Sequence, residues 1–84
     1  MRLDFRERVT YVIYTEPYSY MGITREELLE TARSLHRVIG AHPTGINDEI
    51  EVILFHNYTI YDFINDFKYR LDSLLDRKIR ESAV

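Results

Sequence analysis

Residues 59–80 constrain the fold most, because they carry a broad apolar face at helical spacing. Thr59 is a favourable N-cap and Asp62 follows three residues later, so a helix is predicted to begin here. Tyr58 before the cap and Phe63 after it have the spacing of a hydrophobic staple. The apolar face covers four turns and consists of Ile60, Phe63, Ile64, Phe67, Leu71, Leu74 and Leu75. This helix, ending near Arg80, has to pack against the rest of the domain.

A shorter helix is predicted to begin at Thr24. Thr24 and Glu27 have the spacing of a capping box. Ile23 and Leu28 flank this start as a second hydrophobic staple. Apolar residues then recur at helical spacing, namely Leu28, Ala32, Leu35 and Ile39. Gly40 is a natural C-terminal stop, and residues 40–48 are rich in turn formers, which predicts a loop.

Two segments have the patterns of strands. Residues 2–16 alternate between polar and apolar side chains, which predicts a strand with one buried face. That face consists of Leu3, Phe5, Val9, Tyr11 and Ile13. Residues 9–15 are its β-branched and aromatic part, whereas residues 2–7 are expected to fray or to fold back as a separate short strand. Pro17 ends the first strand. Residues 50–55 form a second strand with apolar side chains on both faces, so we expect both faces to be covered for part of its length.

These elements predict an α+β fold in the order β-α-β-α, with two helices packed on one face of a small sheet. The 84 residues form one domain, 1–84, without a linker or repeat. If the two strands are neighbours, the helical crossover between them makes them parallel and right-handed. Two strands alone make a poor sheet, so a third comes from the N-terminal segment or from strand pairing in a homodimer.

Composition narrows the functional classes. The chain has no cysteine and a net charge of −3, which favours a reducing compartment and argues against general nucleic-acid binding. The N-terminal residues include charges throughout and lack the apolar run of a signal peptide or membrane span. We therefore expect a soluble, cytoplasmic protein.

No pattern in the sequence predicts catalysis, a metal or a cofactor. His36, His42 and His56 share no metal-ligand spacing, and no cysteine is available to join them. The three glycines do not form a phosphate-binding loop, and no serine lies in a nucleophile motif. We therefore expect no catalytic, cofactor-binding or metal-binding residues, and interpret the chain as a non-enzymatic protein.

The outer face of the long helix is the most unusual feature. Opposite the apolar face lie Asp62, Asn65, Asp66, Tyr69, Asp72, Ser73 and Asp76. Aspartate is a poor helix former, so helix propensity does not account for four of them. Residues 48–76 contain seven acids against the two bases Lys68 and Arg70. This stripe is either a solvated surface or a docking site for a basic partner, whose attraction to it acts over distance.

We interpret the chain as a protein-binding module that docks a basic partner protein. If that partner is a nucleic-acid-binding protein, the carboxylates act as nucleic-acid mimics. By analogy of size and charge alone, it resembles the small inhibitors that bacteriophages direct against host proteins. A second partner-binding candidate is the tyrosine-rich segment of Tyr14, Tyr18 and Tyr20, since tyrosine is enriched at interfaces. The alternatives are a self-associating structural or adaptor homodimer, and nucleic-acid binding through Arg2, Arg6 and Arg8 on the polar strand face.

Overall fold

The structure is a computed structural model that describes residues 8–82, and it has the predicted α+β class. Its elements in chain order are β1 (Arg8–Tyr14), α1 (Glu16–Ser19), α2 (Arg25–Arg33), β2 (Val38–Pro43), β3 (Glu49–Phe55) and α3 (Ile60–Ser82). The three strands form one antiparallel sheet in the order β1-β3-β2. The expectations for residues 2–7 lie outside the described residues.

The predicted β-α-β-α order is wrong, because the structure contains two further elements. The short helix α1 was not predicted, and it carries Pro17 in its first turn, where the missing N–H removes no hydrogen bond. Gly22 closes the turn after α1 with a φ of 81°, a left-handed conformation that glycine adopts readily. The strand β2 replaces the end of the predicted first helix and the start of the predicted loop.

The parallel arrangement of the two predicted strands is also wrong. β1 and β3 are neighbours, but they run antiparallel, with Tyr11 opposite Val52. β2 and β3 are antiparallel as well, so β1 and β2 run in the same direction. The helical crossover therefore joins two strands of the same direction, as expected for such a connection, and β3 is inserted between them.

The two longer helices begin where the sequence predicts, and side-chain caps stabilise both starts. The Thr24 hydroxyl accepts a hydrogen bond from the Glu27 N–H at 3.1 Å, and the Glu27 carboxylate accepts one from the Thr24 N–H at 2.9 Å. At the start of α3 the Thr59 hydroxyl accepts a hydrogen bond from the Asp62 N–H at 3.0 Å. Ile23 and Leu28 are both buried. The capping box and both starts are confirmed.

One face of the sheet carries the hydrophobic core. Neighbouring strands place Val9, Tyr11 and Ile13 opposite Leu54, Val52 and Ile50. Both long helices pack on this face, and the buried set from them is Leu28, Leu29, Ala32, Phe63, Phe67 and Leu71. The rings of Phe63 and Phe67 stack with centroids 5.1 Å apart. This core positions the outer surface of α3.

The other face of the sheet is open, contrary to the expectation that residues 50–55 are covered on both sides. Phe55 is 43% exposed and Val12, on the neighbouring strand, is 49% exposed. Ile53 at the middle of β3 is half-buried. Within residues 8–82 no element packs over this face, because α2 and α3 both lie on the opposite one.

Lys78 fastens the second half of α3 to the start of α2. Its ammonium donates hydrogen bonds to the Gly22 carbonyl at 2.7 Å and to the Glu27 carboxylate at 2.8 Å. The hydrogen bond from Lys78, with the backbone N–H of Thr24, lowers the pKa of Glu27 below its usual value of 4.5. A carboxyl whose pKa is lower in the folded state contributes stability above its unfolded pKa and loses it as the pH falls through the folded value.

We expect the Glu27–Lys78 contact to account for part of the loss of stability of the protein at acid pH. The free energy of unfolding should decrease as the pH falls below the usual Glu pKa of 4.5, and the decrease should be smaller in Lys78→Met. Urea unfolding at several pH values measures this. Lys68→Met removes an exposed cation of the same helix that forms no ion pair within residues 8–82, and it should leave the pH dependence as in the unmodified protein. Equal acid sensitivity in the unmodified protein and Lys78→Met would contradict the assignment.

Candidate protein-docking surface

The acidic stripe of α3 points away from the core along most of the helix. Its exposed side chains are Asp62, Asn65, Asp66, Tyr69, Asp72, Ser73 and Asp76. They are held there because Phe63, Phe67 and Leu71 are buried on the opposite side. The four aspartates, however, differ in what they contact.

Asp66 is part of an internal contact. The Tyr58 hydroxyl donates a hydrogen bond of 2.5 Å to the Asp66 carboxylate. Burial of Tyr58 and, after it, this hydrogen bond raise the pKa of the phenol. The guanidinium of Arg37 lies 4.2 Å from the centroid of the same ring. Asp66 therefore braces the turn before α3. Its carboxylate is less available to a partner than helical spacing alone predicts.

Asp76 forms an ion pair with Arg80 one turn later, at 2.9 Å. Both side chains are well exposed, so the pair is screened by solvent and contributes little to stability. A partner with a basic group can replace Arg80 at small cost. Asp76 thus remains accessible to a partner but carries less unbalanced charge than the sequence indicated.

Asp62 and Asp72 have the least compensated charge in the stripe. Among residues 8–82, no side chain donates a hydrogen bond to either carboxylate. Tyr69 lies between them along the helix and is 73% exposed. At 1.5 Å rise per residue, Asp62 and Tyr69 are separated by about 10 Å along the helix axis. This arrangement is an exposed aromatic ring with an available carboxylate on each side.

Two of the arginines near the stripe, Arg70 and Arg77, are turned toward α2, whereas the exposed Lys68 lies beside Asp72 on the side of α1. Arg70 donates a hydrogen bond to the Ser34 hydroxyl at 3.0 Å, and Lys78 is held by Glu27. Arg70 and Arg77 line a groove between the two helices. Between Asp62 and Asp72 the stripe itself contains three aspartates and no basic residue, and Lys68 lies at its flank.

The three tyrosines at the end of β1 do not form one surface. Tyr18 packs its ring against Phe67 with centroids 6.0 Å apart, and burial raises the pKa of its phenol. Tyr14 lies on the open face of the sheet and is 63% exposed. Tyr20 is 82% exposed, with its hydroxyl 3.4 Å from the Glu16 carboxylate. Tyr18 therefore packs against the core, whereas Tyr14 and Tyr20 are exposed rings.

The structure adds a groove between α1 and α3 that the sequence did not indicate. It measures about 420 Å³ and is lined by Pro17, Tyr18, Met21, Lys68, Leu71, Asp72 and Leu75. Asp72 belongs both to this mostly apolar groove and to the acidic stripe. The sequence carries little indication of this groove, because only the tertiary fold brings Met21 beside Leu75.

The histidines are dispersed. All three are exposed, and His42 contacts the Glu51 carboxylate at 2.5 Å across β2 and β3. In the described part of the chain, no three His, Asp or Glu side chains are grouped so that they could hold a metal ion. Of the arginines considered for nucleic-acid binding, Arg8 is exposed at the end of β1, and Arg2 and Arg6 lie outside the described residues.

Between residues 8 and 82 no helix has both the length and the apolar character needed to cross a bilayer. Comparison of the chain with protein-family models, with curated proteins and with solved structures found no match.

Proposed function

We propose that this chain is a non-enzymatic protein-binding module that docks a basic partner protein through the outer face of α3. The observation that carries the proposal is the exposed ring of Tyr69 between Asp62 and Asp72, whose carboxylates form no ion pair within residues 8–82. An exposed tyrosine offers apolar contact area and a polar tip, and is enriched at interfaces. Carboxylates around it select a partner with lysine or arginine at matching positions.

The rigidity of the face supports the proposal. α3 is held from below by buried aromatic rings and at its far end by Lys78, so binding would require little ordering of the helix. The apolar groove beside Asp72 could receive an aliphatic side chain of the partner next to its basic group. Together these features favour a helical or loop segment of mixed basic and apolar character.

A nucleic-acid-binding protein is the partner class that fits this chemistry best. Its basic surface is built to bind regularly spaced negative charges, and the carboxylates along one helix face offer such a series. Bound to such a partner, the module acts as an inhibitor that occupies the partner's nucleic-acid-binding site. The small size and acidic charge of the chain are similar to those of bacteriophage inhibitors of host proteins. The interaction would weaken steeply with added salt.

The double variant Asp62→Asn/Asp72→Asn tests the docking face. Partners captured from the native host and identified by mass spectrometry should be basic proteins. When each partner is titrated with both forms of the chain, the variant should bind with a Kd at least about tenfold higher, which is equivalent to about 1.4 kcal/mol of binding free energy. Bare duplex DNA should not bind. Circular dichroism should show an unchanged fold.

The matched control is Glu26→Gln/Glu30→Gln, which removes the same two charges from exposed positions on α2. The control should lose much less affinity than the α3 variant, because net charge alone sets only the weak long-range attraction. Unchanged binding by Asp62→Asn/Asp72→Asn, or an equal loss in the control, would remove the α3 face as the docking site.

A further inference from the structure

The two edges of the sheet are built differently. β2, at one edge, contains Gly40 and Pro43 and has a register irregularity between Val38 and Gly40. Proline, glycine and a bulge are common means of blocking strand addition to an edge. β1, at the other edge, is seven residues of regular ladder, RVTYVIY, with a single charged side chain. Within residues 8–82, β1 is therefore the edge at which a further strand can add.

The direction of the free backbone groups of β1 follows from the register. The Thr15 N–H donates to the Asp48 carbonyl at 2.8 Å, which makes this opposite pair a hydrogen-bonded one. Since such pairs alternate in an antiparallel ladder, Ile13, Tyr11 and Val9 also bond to β3. The Phe55 N–H donates to Arg37 on the other side, as the same alternation requires. The N–H and C=O groups of Arg8, Thr10, Val12 and Tyr14 consequently point outward.

The β1 sequence is compatible with a second copy of itself in antiparallel register about Tyr11. Thr10 then lies opposite Val12 of the partner copy, and Val9 lies opposite Ile13. These apolar and β-branched cross-strand pairs stabilise a ladder. Only residues with outward-pointing backbone groups form the hydrogen-bonded pairs, which gives about eight inter-chain hydrogen bonds.

The charges also favour a second copy in this orientation. Arg8 is placed across from the exposed ring of Tyr14 of the partner copy, and Glu49 lies on the next strand beside Tyr14. The guanidinium can thus stack on the ring and reach toward a carboxylate. Parallel pairing would instead put the two Arg8 side chains next to each other.

We propose that two copies of this chain associate through antiparallel pairing of β1 with β1, forming a continuous six-stranded sheet about a twofold axis near Tyr11. Tyr11 is half-buried in one copy and becomes buried against its equivalent on the helix-covered face. The interface does not involve the outer face of α3, so the dimer and the docking proposal stand or fall independently.

Sedimentation equilibrium tests the dimer. The unmodified chain should sediment with twice its own mass at tens of micromolar. Thr10→Lys/Val12→Lys places like charges opposite each other across the twofold axis and should raise the dimer Kd at least about tenfold. Ile39→Lys/Pro43→Lys adds the same two charges on β2 and should leave the dimer intact. A monomeric unmodified chain, or a dimer that persists equally in both variants, would overturn the proposal.

A cross-linking measurement keeps the test independent of how well the lysine variant folds. The chain has no cysteine, so the one disulfide that Tyr11→Cys can form between protein chains joins two copies, by way of a mixed disulfide with glutathione. A non-hydrogen-bonded antiparallel pair brings its Cα atoms to about 4.5 Å, within reach of a disulfide. With oxidised glutathione, Tyr11→Cys should form covalent dimers at least about tenfold faster than Tyr69→Cys on the exposed face of α3. Equal rates would contradict the register.

Discussion

Replacement of Phe67 by alanine is expected to lower the free energy of unfolding by about 3–5 kcal/mol, a large share of the stability of a domain of this size. Phe67 is fully buried, stacks on Phe63 and meets the ring of Tyr18 edge to face. Its removal therefore leaves a cavity at the place where α1, α3 and the sheet converge. Urea unfolding followed by circular dichroism measures the loss.

Tyr69→Ala is the matched control for Phe67→Ala, since it removes an aromatic ring two residues along the same helix from a mostly exposed position. It should change stability by less than about 0.5 kcal/mol. If both variants lost the same stability, the burial pattern of α3 would be wrong, and so would the assignment of Tyr69 to the docking face.

Replacement of Tyr58 by alanine should have the second largest effect, about 3–4 kcal/mol. The ring is buried, lies edge to face against Phe63 and supports the guanidinium of Arg37, while its hydroxyl binds Asp66. Tyr58→Phe keeps the ring and removes only the hydrogen bond, so it should cost about 1–2 kcal/mol. Thermal or urea unfolding separates the two contributions.

A double-mutant cycle between Tyr58→Phe and Asp66→Ala tests whether the hydroxyl and the carboxylate act as a pair. The loss in the double variant should be smaller than the sum of the single losses, because the hydrogen bond is removed only once. Strict additivity would mean that Asp66 is not held by Tyr58. It would then count again among the carboxylates available to a partner.

The sequence located the helix starts because their signals are local. Thr24 with Glu27, and Thr59 with Asp62, satisfy backbone N–H groups within one turn, so no tertiary contact is needed to recognise them. The apolar face of residues 60–75 is equally local, since its period alone specifies a helix with one buried side. The alternation of residues 9–13 in β1 was visible for the same reason.

The strand β2 was missed because its pattern fits two structures. Ile39 follows Leu35 at helical spacing, which extended the predicted first helix, although the adjacent β-branched Val38 and Ile39 favour a strand. Pairing with β3 decides between the two, and this pairing is a tertiary interaction. The missing strand then led to the wrong direction for residues 50–55 relative to β1.

The candidate site was predicted in outline but not in its internal contacts. Helical spacing is sufficient to place Asp62, Tyr69 and Asp72 on the outer face of α3. It gives no information about a group arriving from another element, and the Tyr58 hydroxyl approaches Asp66 from the turn before the helix. The α1–α3 groove was missed for the same reason, because it is formed by residues that are distant in the chain.

One oxygen atom of Glu27 accepts both the Thr24 N–H that closes the cap of α2 and the ammonium of Lys78 on α3. The first turn of one helix and the late turns of the other therefore share a single acceptor. Fraying of α3 from its C-terminus as far as Lys78 is unfavourable, since it would also break the hydrogen bond from Lys78 to the Glu27 carboxylate that caps α2. The segment bearing Asp72 and Asp76 thus belongs to the same cooperative unfolding unit as the core, although much of its surface faces solvent.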